Sequence, residues 1–279
     1  MGSSRKPGYV ETHLGWTHYV EEGDGPPLVM LHQTPRSADE FCELLPLVAA
    51  RHRAIAVDMP GFGSSPPLPA PQTIQAFADG VVAFLDALGL EAVTLLGHHT
   101  GAVVALEIAA AFPDRVRALV LSSMGFVDAK SRQRRQAHAI PDDVEWSENG
   151  DRVKALWEGR APLFPSGRGD LLQRFVRDAI APSIDPAEGH RAVGRYHMEE
   201  RIPLVSAPTL LIGATLDPAF PELPQVQHAL TAVSQVRTVV VEGGRLPLME
   251  LNAPEVAAAV QNFLAEIFGE DTDTEESRP

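Results

Sequence analysis

Strand-length apolar runs alternate with amphipathic helical stretches along this chain, from residue 9 to residue 268. Residues 28–31 are apolar at every position, whereas residues 73–88 carry apolar side chains at helical spacing. Strands that are apolar throughout are buried on both faces, which requires helices on both sides of a mostly parallel sheet. The alternation therefore predicts an α/β protein.

The pattern predicts eight strands, of which the first two form an opening hairpin around Leu14-Gly15. The predicted strands are residues 9–13, 17–21, 28–31, 54–58, 93–96, 118–121, 209–212 and 238–241. The clearest predicted helices are residues 38–50, 73–88, 100–112 and 253–268. Together these elements predict a mostly parallel sheet flanked by helices.

A long gap separates the sixth predicted strand from the seventh, and its length of about 80 residues is too great for a simple crossover. Its charged helical patches, interrupted by Pro and Gly, predict a helical cap over residues 126–203. The core would then comprise residues 1–125 and 204–268, with a disordered acidic tail at 269–279. Because ligands bind at the carboxyl ends of strands in open α/β sheets, we expect the cap to cover that crevice.

Charge and composition exclude several classes of partner. The chain has 279 residues with 37 acidic and 23 basic side chains, a formal charge of −14, which opposes binding to nucleic acid or to an anionic membrane. It has one cysteine, so no internal disulfide can form, and no apolar run reaches transmembrane length. The first residues lack the apolar segment of a signal peptide. We expect a cytoplasmic protein, and the oligomeric state stays open.

The segment Gly97-His98-His99-Thr100-Gly101 follows a buried predicted strand and opens a predicted helix. A sharp strand-to-helix turn needs small residues two positions on either side of its tip, because the backbone is crowded there. Gly97 and Gly101 meet this need. The pattern is that of a nucleophile elbow with His99 at the tip.

Four further segments, in matching order and spacing, make the chain resemble the α/β-hydrolase family. They are His32-Gln33-Thr34-Pro35, residues 58–65 (DMPGFGSS), residues 213–217 (GATLD) and residues 243–247 (GGRLP). The resemblance implies an α/β-hydrolase fold, with a catalytic acid at Asp217. It also implies an oxyanion hole formed by the backbone N–H groups of Thr34 and Thr100.

Three residues depart from the family pattern. His99 stands where the family has Ser, Asp or Cys, Arg245 stands where it has the catalytic His, and Gln33 stands where it usually has Gly. A guanidinium stays protonated at any relevant pH, so Arg245 cannot accept a proton. We expect it to pair with Asp217 instead, and to place a fixed cation near His99 that favours the neutral imidazole.

A neutral His99 can act as a general base or as a nucleophile. The predicted catalytic residues are His99, Asp217 and Arg245. The predicted oxyanion and substrate-binding residues are Thr34, Thr100, Gln33, His32 and His98, with packing as the alternative for the last two. Three nearby histidines also suggest a metal site, which we do not expect because adjacent side chains point in different directions.

The sequence thus predicts a cofactor-independent enzyme that acts on a small carbonyl, ester or carboxylate-bearing compound. Arg245 favours an anionic substrate. Hydrolysis is the reaction that the resemblance implies, and a lyase, decarboxylase or isomerase reaction at the same site is one alternative. A ligand-binding protein without catalysis is another, in which His99 fills a disused elbow and Arg245 forms only a structural salt bridge.

Overall fold

The computed structural model describes residues 5–138, 140, 142–181 and 185–269. Its centre is one sheet, and all eight predicted strands are present within a few residues of their predicted bounds. The strands are β1 (Lys6–Thr12), β2 (Gly15–Glu22), β3 (Pro27–Leu31), β4 (Arg53–Val57), β5 (Val93–His98), β6 (Val116–Ser122), β7 (Thr209–Ala214) and β8 (Val236–Val241). The predicted tail, apart from Gly269, lies outside the described residues.

The strand order is β1-β2-β4-β3-β5-β6-β7-β8. β1 and β2 form the predicted hairpin, and β2 pairs antiparallel with β4, while β4, β3, β5, β6, β7 and β8 are parallel to one another. The carboxyl ends of β3, β5, β6 and β7 therefore lie at the same edge of the sheet. The prediction of a mostly parallel, eight-stranded α/β-hydrolase sheet is confirmed.

Helices cover both faces of the sheet and also fill the segment between β6 and β7. The helices are α1 (Leu45–Val48), α2 (Ile74–Ala87), α3 (Thr100–Ala111), α4 (Ala129–Gln136), α5 (Asp151–Arg160), α6 (Gly169–Ala179), α7 (Glu188–Arg195), α8 (Met198–Arg201), α9 (Leu223–Ala229), α10 (Leu248–Leu251) and α11 (Ala253–Phe268). No helix of the described residues is long and apolar enough to span a membrane.

Alternate residues of β3 show why the strand is apolar throughout. Val29 and Leu31 pack into a cluster with residues of α2 and α3, whereas Leu28 and Met30 pack into a second cluster with residues of α1 and α11. Both faces of the strand are therefore buried, as its continuous apolar run requires.

The prediction of one helix over residues 38–50 is wrong. The chain forms a short 3-10 turn at Ala38–Phe41 and then begins α1 at Leu45. Pro46 lies in the first turn of α1, where its missing N–H costs no hydrogen bond. A proline ring inside a helix clashes with the preceding turn, so the two pieces cannot merge.

We call residues 126–203 the insertion, because α4 to α8 all lie within it. Leu156, Phe164, Leu171 and Phe175 of the insertion form a buried cluster that also includes Leu246, from the loop after β8. This cluster joins the insertion to the carboxyl edge of the sheet. The division of the chain into a core and a cap at these boundaries stays a prediction.

The turn between β5 and α3 is the tightest backbone approach near this edge. A Cβ atom on Gly101 would lie 2.0 Å from the carbonyl oxygen of Leu31, and one on Gly97 would lie 2.3 Å from the carbonyl oxygen of Gly101. Gly101 therefore lets the turn pack against β3, and Gly97 lets the end of β5 pack against the start of α3.

A buried charge network links the insertion to the loops at the sheet edge. Arg36 Nε donates to Asp178 Oδ2 at 2.9 Å and Arg36 Nη1 donates to Glu250 Oε1 at 2.6 Å. Glu40 lies beside the same guanidinium. Burial, with a further contribution from Glu40, raises the pKa of Glu250 to about 7, although Arg36 acts in the opposite direction. Glu250 Oε2 is buried without a hydrogen-bond partner in the described residues, and an unpaired neutral acid costs less there than an unpaired carboxylate.

Substituting Gly101→Ala should lower the free energy of unfolding by about 1–3 kcal/mol or more, because the new Cβ atom overlaps backbone that has little room to move. Thermal denaturation checks this. Gly194→Ala in α7 is the matched control, because nothing lies within 4 Å of the added atom, and its midpoint should stay level or rise. Equal midpoints for the two variants would contradict the account of the turn.

Substituting Glu250→Gln should remove a pH dependence of stability. Because Glu250 ionises near pH 7 when folded and near 4.5 when unfolded, the folded state holds more protons between these values. The parent's free energy of unfolding should therefore fall as the pH rises through this range, by up to about 3 kcal/mol.

Urea denaturation from about pH 5 to about pH 8 measures this effect. The Glu250→Gln protein, which keeps a neutral side chain, should lack this fall and exceed the parent's stability above pH 7. Glu255→Gln, an exposed change in α11, should retain the parent's pH dependence. If the stability of the Glu250→Gln protein varies with pH as that of the parent does, then Glu250 is ionised over this whole pH range, which would contradict its raised pKa.

Candidate active site

His99 lies at the tip of the turn between β5 and α3, as predicted. Its backbone has φ 48° and ψ −113°, a strained conformation for a residue with a side chain. Its N–H donates to the carbonyl oxygen of Ser122 at 3.0 Å, which fixes the turn against the end of β6. The imidazole, with 20% of its surface exposed, lines a cavity at the carboxyl edge of the sheet.

The imidazole of His99 is hydrogen-bonded to Asp217, which follows β7. His99 Nε2 lies 2.8 Å from Asp217 Oδ2, and the N–H of Ala219 donates to Asp217 Oδ1 at 2.8 Å. Burial acts to raise the pKa of Asp217, but the charge and hydrogen bond of His99, with the Ala219 N–H, bring it below its ordinary value.

Asp217 is therefore a carboxylate at neutral pH. It accepts a hydrogen bond from His99, whose Nε2 carries the proton. This assigns the tautomer of His99 from the hydrogen-bond network. The other ring nitrogen, Nδ1, then carries the lone pair and has no hydrogen-bond partner among the described residues.

The predicted pair between Asp217 and Arg245 is wrong. The loops that carry these residues do meet, since the N–H of Leu216 donates to the carbonyl oxygen of Gly244 at 2.9 Å. However, no hydrogen bond or ion pair joins Arg245 to Asp217 in the described part of the chain. Arg245 is half-buried and is absent from the residues that line the cavity, so it does not aim a cation at His99.

The position of His99 at the turn between β5 and α3 makes it the partner of Asp217. The bond from its N–H to the carbonyl oxygen of Ser122 holds the turn in place, and Nε2 then lies 2.8 Å from the carboxylate. Because Asp217 is only 3% exposed, its charge needs a hydrogen-bond donor from the protein, and the imidazole supplies one.

The prediction that His32 and His98 bind substrate is also wrong for this cavity, and their packing alternative describes them. Both are fully buried. His98 bridges Ser122 Oγ, at 3.1 Å, and the carbonyl oxygen of Leu246, at 3.2 Å. His32 Nε2 accepts from the N–H of Met59 at 3.0 Å, and its Nδ1 lies 2.7 Å from the carbonyl oxygen of Gln33. Burial lowers the pKa of both imidazoles, so they pack as neutral groups.

Thr34, Thr100 and Gln33 all line the cavity. The hydroxyls of Thr34 and Thr100 are 2.9 Å apart, and their backbone N–H groups have no hydrogen-bond partners among the described residues. Glu40 holds Gln33 in place through two hydrogen bonds: it accepts from the backbone N–H of Gln33 at 2.8 Å and from its side-chain amide at 2.5 Å.

The cavity has a volume of about 220 Å³. The insertion and the loop after β7 also contribute polar residues to it. These are Arg135, Arg160, His190 and Glu222. Each arginine of the set has an opposing carboxylate: Arg160 binds Asp142 and Arg135 is attracted to Glu222. Arg135, Arg160 and His190 belong to a charged segment in the sequence, but periodicity does not tell which of its side chains face the sheet.

Residues capable of binding a metal ion are not grouped in the described part of the chain. No set of three or more His, Cys, Asp or Glu side chains is arranged to hold one there. His32 and His98 each use both ring nitrogens in hydrogen bonds to the protein.

Two curated proteins resemble parts of the chain. A haloalkane dehalogenase of Mycolicibacterium paratuberculosis is 38% identical over 156 residues, which cover 54% of this chain and 47% of that protein. An (E)-2-((N-methylformamido)methylene)succinate hydrolase of Acinetobacter baylyi is 31% identical over 104 residues, which cover 37% of this chain and 40% of that protein. The matches thus span less than half the length of each relative.

The fold is shared with solved structures over nearly the whole chain. An enol-lactonase from Burkholderia xenovorans LB400 has a TM-score of 0.75 at 17% identity, covering 92% of this chain and 100% of that one. The sequence profile of the alpha/beta hydrolase fold family matches residues 26–169, just over half of the chain. The protein belongs to the alpha/beta hydrolase fold family.

Proposed function

We propose that this protein is a cofactor-independent hydrolase of a small ester or related carbonyl compound, in which His99 is the general base. The names of the relatives support a hydrolytic reaction on small organic substrates. The cavity, at about 220 Å³, has room for a small molecule only.

The observation that carries the proposal is the hydrogen bond of 2.8 Å between His99 Nε2 and Asp217 Oδ2. A carboxylate on one ring nitrogen fixes the tautomer and stabilises the imidazolium that forms when the other nitrogen takes a proton. In the serine enzymes that share this logic, the histidine relays a proton from a serine. Here the imidazole itself occupies the elbow, so its free nitrogen can act on water directly.

The reaction balances with one water molecule. His99 Nδ1 takes a proton from water while the water oxygen bonds to the carbonyl carbon, and the carbonyl oxygen becomes an oxyanion. The C–O bond to the leaving group then breaks, and the Nδ1–H of the imidazolium returns the proton to the leaving alkoxide. The products are a carboxylic acid and an alcohol, and His99 is again neutral.

The N–H groups of Thr34 and Thr100 are the proposed donors to the oxyanion. Both residues line the cavity beside His99, and neither N–H is used elsewhere in the described structure. Unused donors fixed by a helix start and a tight loop need no reorganisation when the negative charge develops. The pair of threonine hydroxyls holds these two segments together.

The charges that line the cavity do not favour an anion. Arg245 is outside it, and the cations of Arg160 and Arg135 face Asp142 and Glu222. The predicted preference for an anionic substrate therefore lacks the cation on which it depended. A carboxylate-bearing compound remains one of the proposed substrates, but the charges of the cavity do not favour it over a neutral one.

Substituting His99→Ala should lower kcat/KM for p-nitrophenyl acetate by about 10²- to 10⁴-fold, the usual contribution of a general base. Asp217→Asn should cause a loss of similar size, because it removes the group that fixes the tautomer. Added imidazole should partly restore the His99→Ala protein, since the truncated side chain leaves room for it. Spectrophotometric release of nitrophenolate measures all three effects.

The matched control is His197→Ala, which removes an exposed imidazole and should leave kcat/KM unchanged. Unaltered turnover after His99→Ala would refute the role of His99. Mass spectrometry of the acid-quenched parent separates a base from a nucleophile: a base leaves the protein mass unchanged, whereas an acyl group found on His99 would overturn the general-base assignment.

Combining His99→Ser with Arg245→His should create a serine nucleophile with a histidine base beside Asp217, which the first change frees. A fluorophosphonate probe should then label the double variant and leave the parent and each single variant unlabelled. Strong labelling of the parent would show a serine nucleophile elsewhere. A folded double variant that stays unlabelled would show that residue 245 cannot reach Asp217.

A further inference from the structure

A second pair of histidine and aspartate lies on the insertion side of the same cavity. His190 of α7 and Arg160 at the end of α5 both line the cavity, and both bind Asp142. His190 Nε2 is 2.8 Å from Asp142 Oδ2, and Arg160 Nε donates to Asp142 Oδ1 at 2.8 Å. Arg160 Nη2 also donates to Asp142 and lies 3.2 Å from His190 Nε2. The side chain of Asp142 is fully buried, so both partners are held firmly.

The position of α7 is fixed by its contact with the loop that carries Thr34. A Cβ atom on Gly189 would lie 2.1 Å from Thr34 Oγ1, so the helix backbone touches that loop directly. His190 follows Gly189 in the chain and is thereby set at the cavity. It shares this cavity with His99, Thr34 and Thr100.

The hydrogen bonds determine which atom of each side chain is left for a ligand. Burial acts to raise the pKa of Asp142, but hydrogen bonds from His190 and Arg160 lower it below its ordinary value. Asp142 is therefore a carboxylate, which can only accept, so His190 Nε2 carries the proton and donates to it at 2.8 Å. The approach of Arg160 Nη2 to the same nitrogen, at 3.2 Å, is then a contact between two donors. The remaining nitrogen of His190, Nδ1, and the remaining nitrogen of Arg160, Nη1, have no hydrogen-bond partners among the described residues.

These two atoms have opposite hydrogen-bonding character. Burial lowers the pKa of His190, and Arg160 acts in the same direction, while Asp142 opposes them. His190 is thus a neutral imidazole at pH 7 whose Nδ1 accepts a hydrogen bond. Arg160 Nη1 can only donate.

We propose that His190 Nδ1 and Arg160 Nη1 form a subsite for a neutral group that carries an acceptor and a donor side by side, as a carboxamide does. The amide oxygen accepts from Arg160 Nη1, and the amide N–H donates to His190 Nδ1. A carboxylate suits the subsite less well, because it would face the lone pair of His190 and Asp142 already neutralises Arg160. The inference deepens the proposed function by assigning the group at the end of the substrate remote from the reacting carbonyl.

Three methyl esters of matched length test the subsite: methyl succinamate, methyl 4-oxopentanoate and monomethyl succinate. They end in an amide, a ketone and a carboxylate. Binding to the His99→Ala protein, measured by ligand-observed NMR titration, does not depend on turnover. The amide should bind about 5- to 10-fold more tightly than the other two, which corresponds to about one further hydrogen bond.

Adding His190→Phe should reduce the preference for the amide over the ketone to within about twofold, since the acceptor is lost while the ring shape is kept. His190→Asn, whose amide can stand near the position of Nδ1, should retain part of the preference. His197→Phe is the matched control and should retain all of it. Thermal denaturation of each variant confirms that it is folded.

Equal binding of the three esters, tighter binding of the carboxylate, or a preference that survives His190→Phe would overturn the subsite. Turnover of the same esters by the parent separates this result from the proposed function. If no ester is hydrolysed but the amide preference is present and depends on His190, the subsite stands and the proposed hydrolysis fails. If all three are hydrolysed at equal kcat/KM and bind equally, hydrolysis stands and the subsite fails.

Discussion

The hydrogen bond between His99 and the buried carboxylate of Asp217 is the interaction on which the site depends. It satisfies a charge that is only 3% exposed, and it does so with a partner that can be neutral. By occupying Nε2, it leaves Nδ1 as the one ring atom that can act on a ligand. Arg245, which opposite charge favoured as the partner of Asp217, makes no hydrogen bond or ion pair with it in the described residues.

The sheet makes this bond possible. His99 follows β5 and Asp217 follows β7, and β6 lies between these strands in the parallel sheet. Their carboxyl ends therefore meet at one edge, where the turn around His99 is held by its bond to Ser122. Gly101 lets the turn approach β3, and Gly97 lets the end of β5 approach the start of α3. On the insertion side of the cavity, the contact of Gly189 with Thr34 positions α7. His190, which binds Asp142, therefore lines the same cavity as His99.

The parts of the structure that depend on local pattern were predictable. Continuous apolar runs located six of the eight strands, the two β-like stretches around Leu14-Gly15 located the opening hairpin, and the spacing of Gly97 and Gly101 located the turn. The partner of Asp217 was not predictable, because opposite charge favours an arginine whereas the conformation of the loops after β7 and β8, which decides which side chain reaches the carboxylate, is known only in three dimensions. The same limit applies to Arg160 and His190: the orientation of the insertion over the sheet decides which of its charged side chains reach the cavity. Residues 38–50 do not form one helix because Pro46 interrupts helix continuity, although the apolar periodicity runs through it.

The tautomer of His99 is the property that tests this account most directly, and NMR of protein with nitrogen-15 in its histidine rings reports it. In its neutral form, His99 should show a protonated Nε2 and an unprotonated Nδ1, with a strongly deshielded Nε2 proton that is lost in the Asp217→Asn protein. A ring protonated at Nδ1 alone, or a signal that Asp217→Asn leaves unchanged, would contradict the bond between His99 and Asp217 and the mechanism built on it.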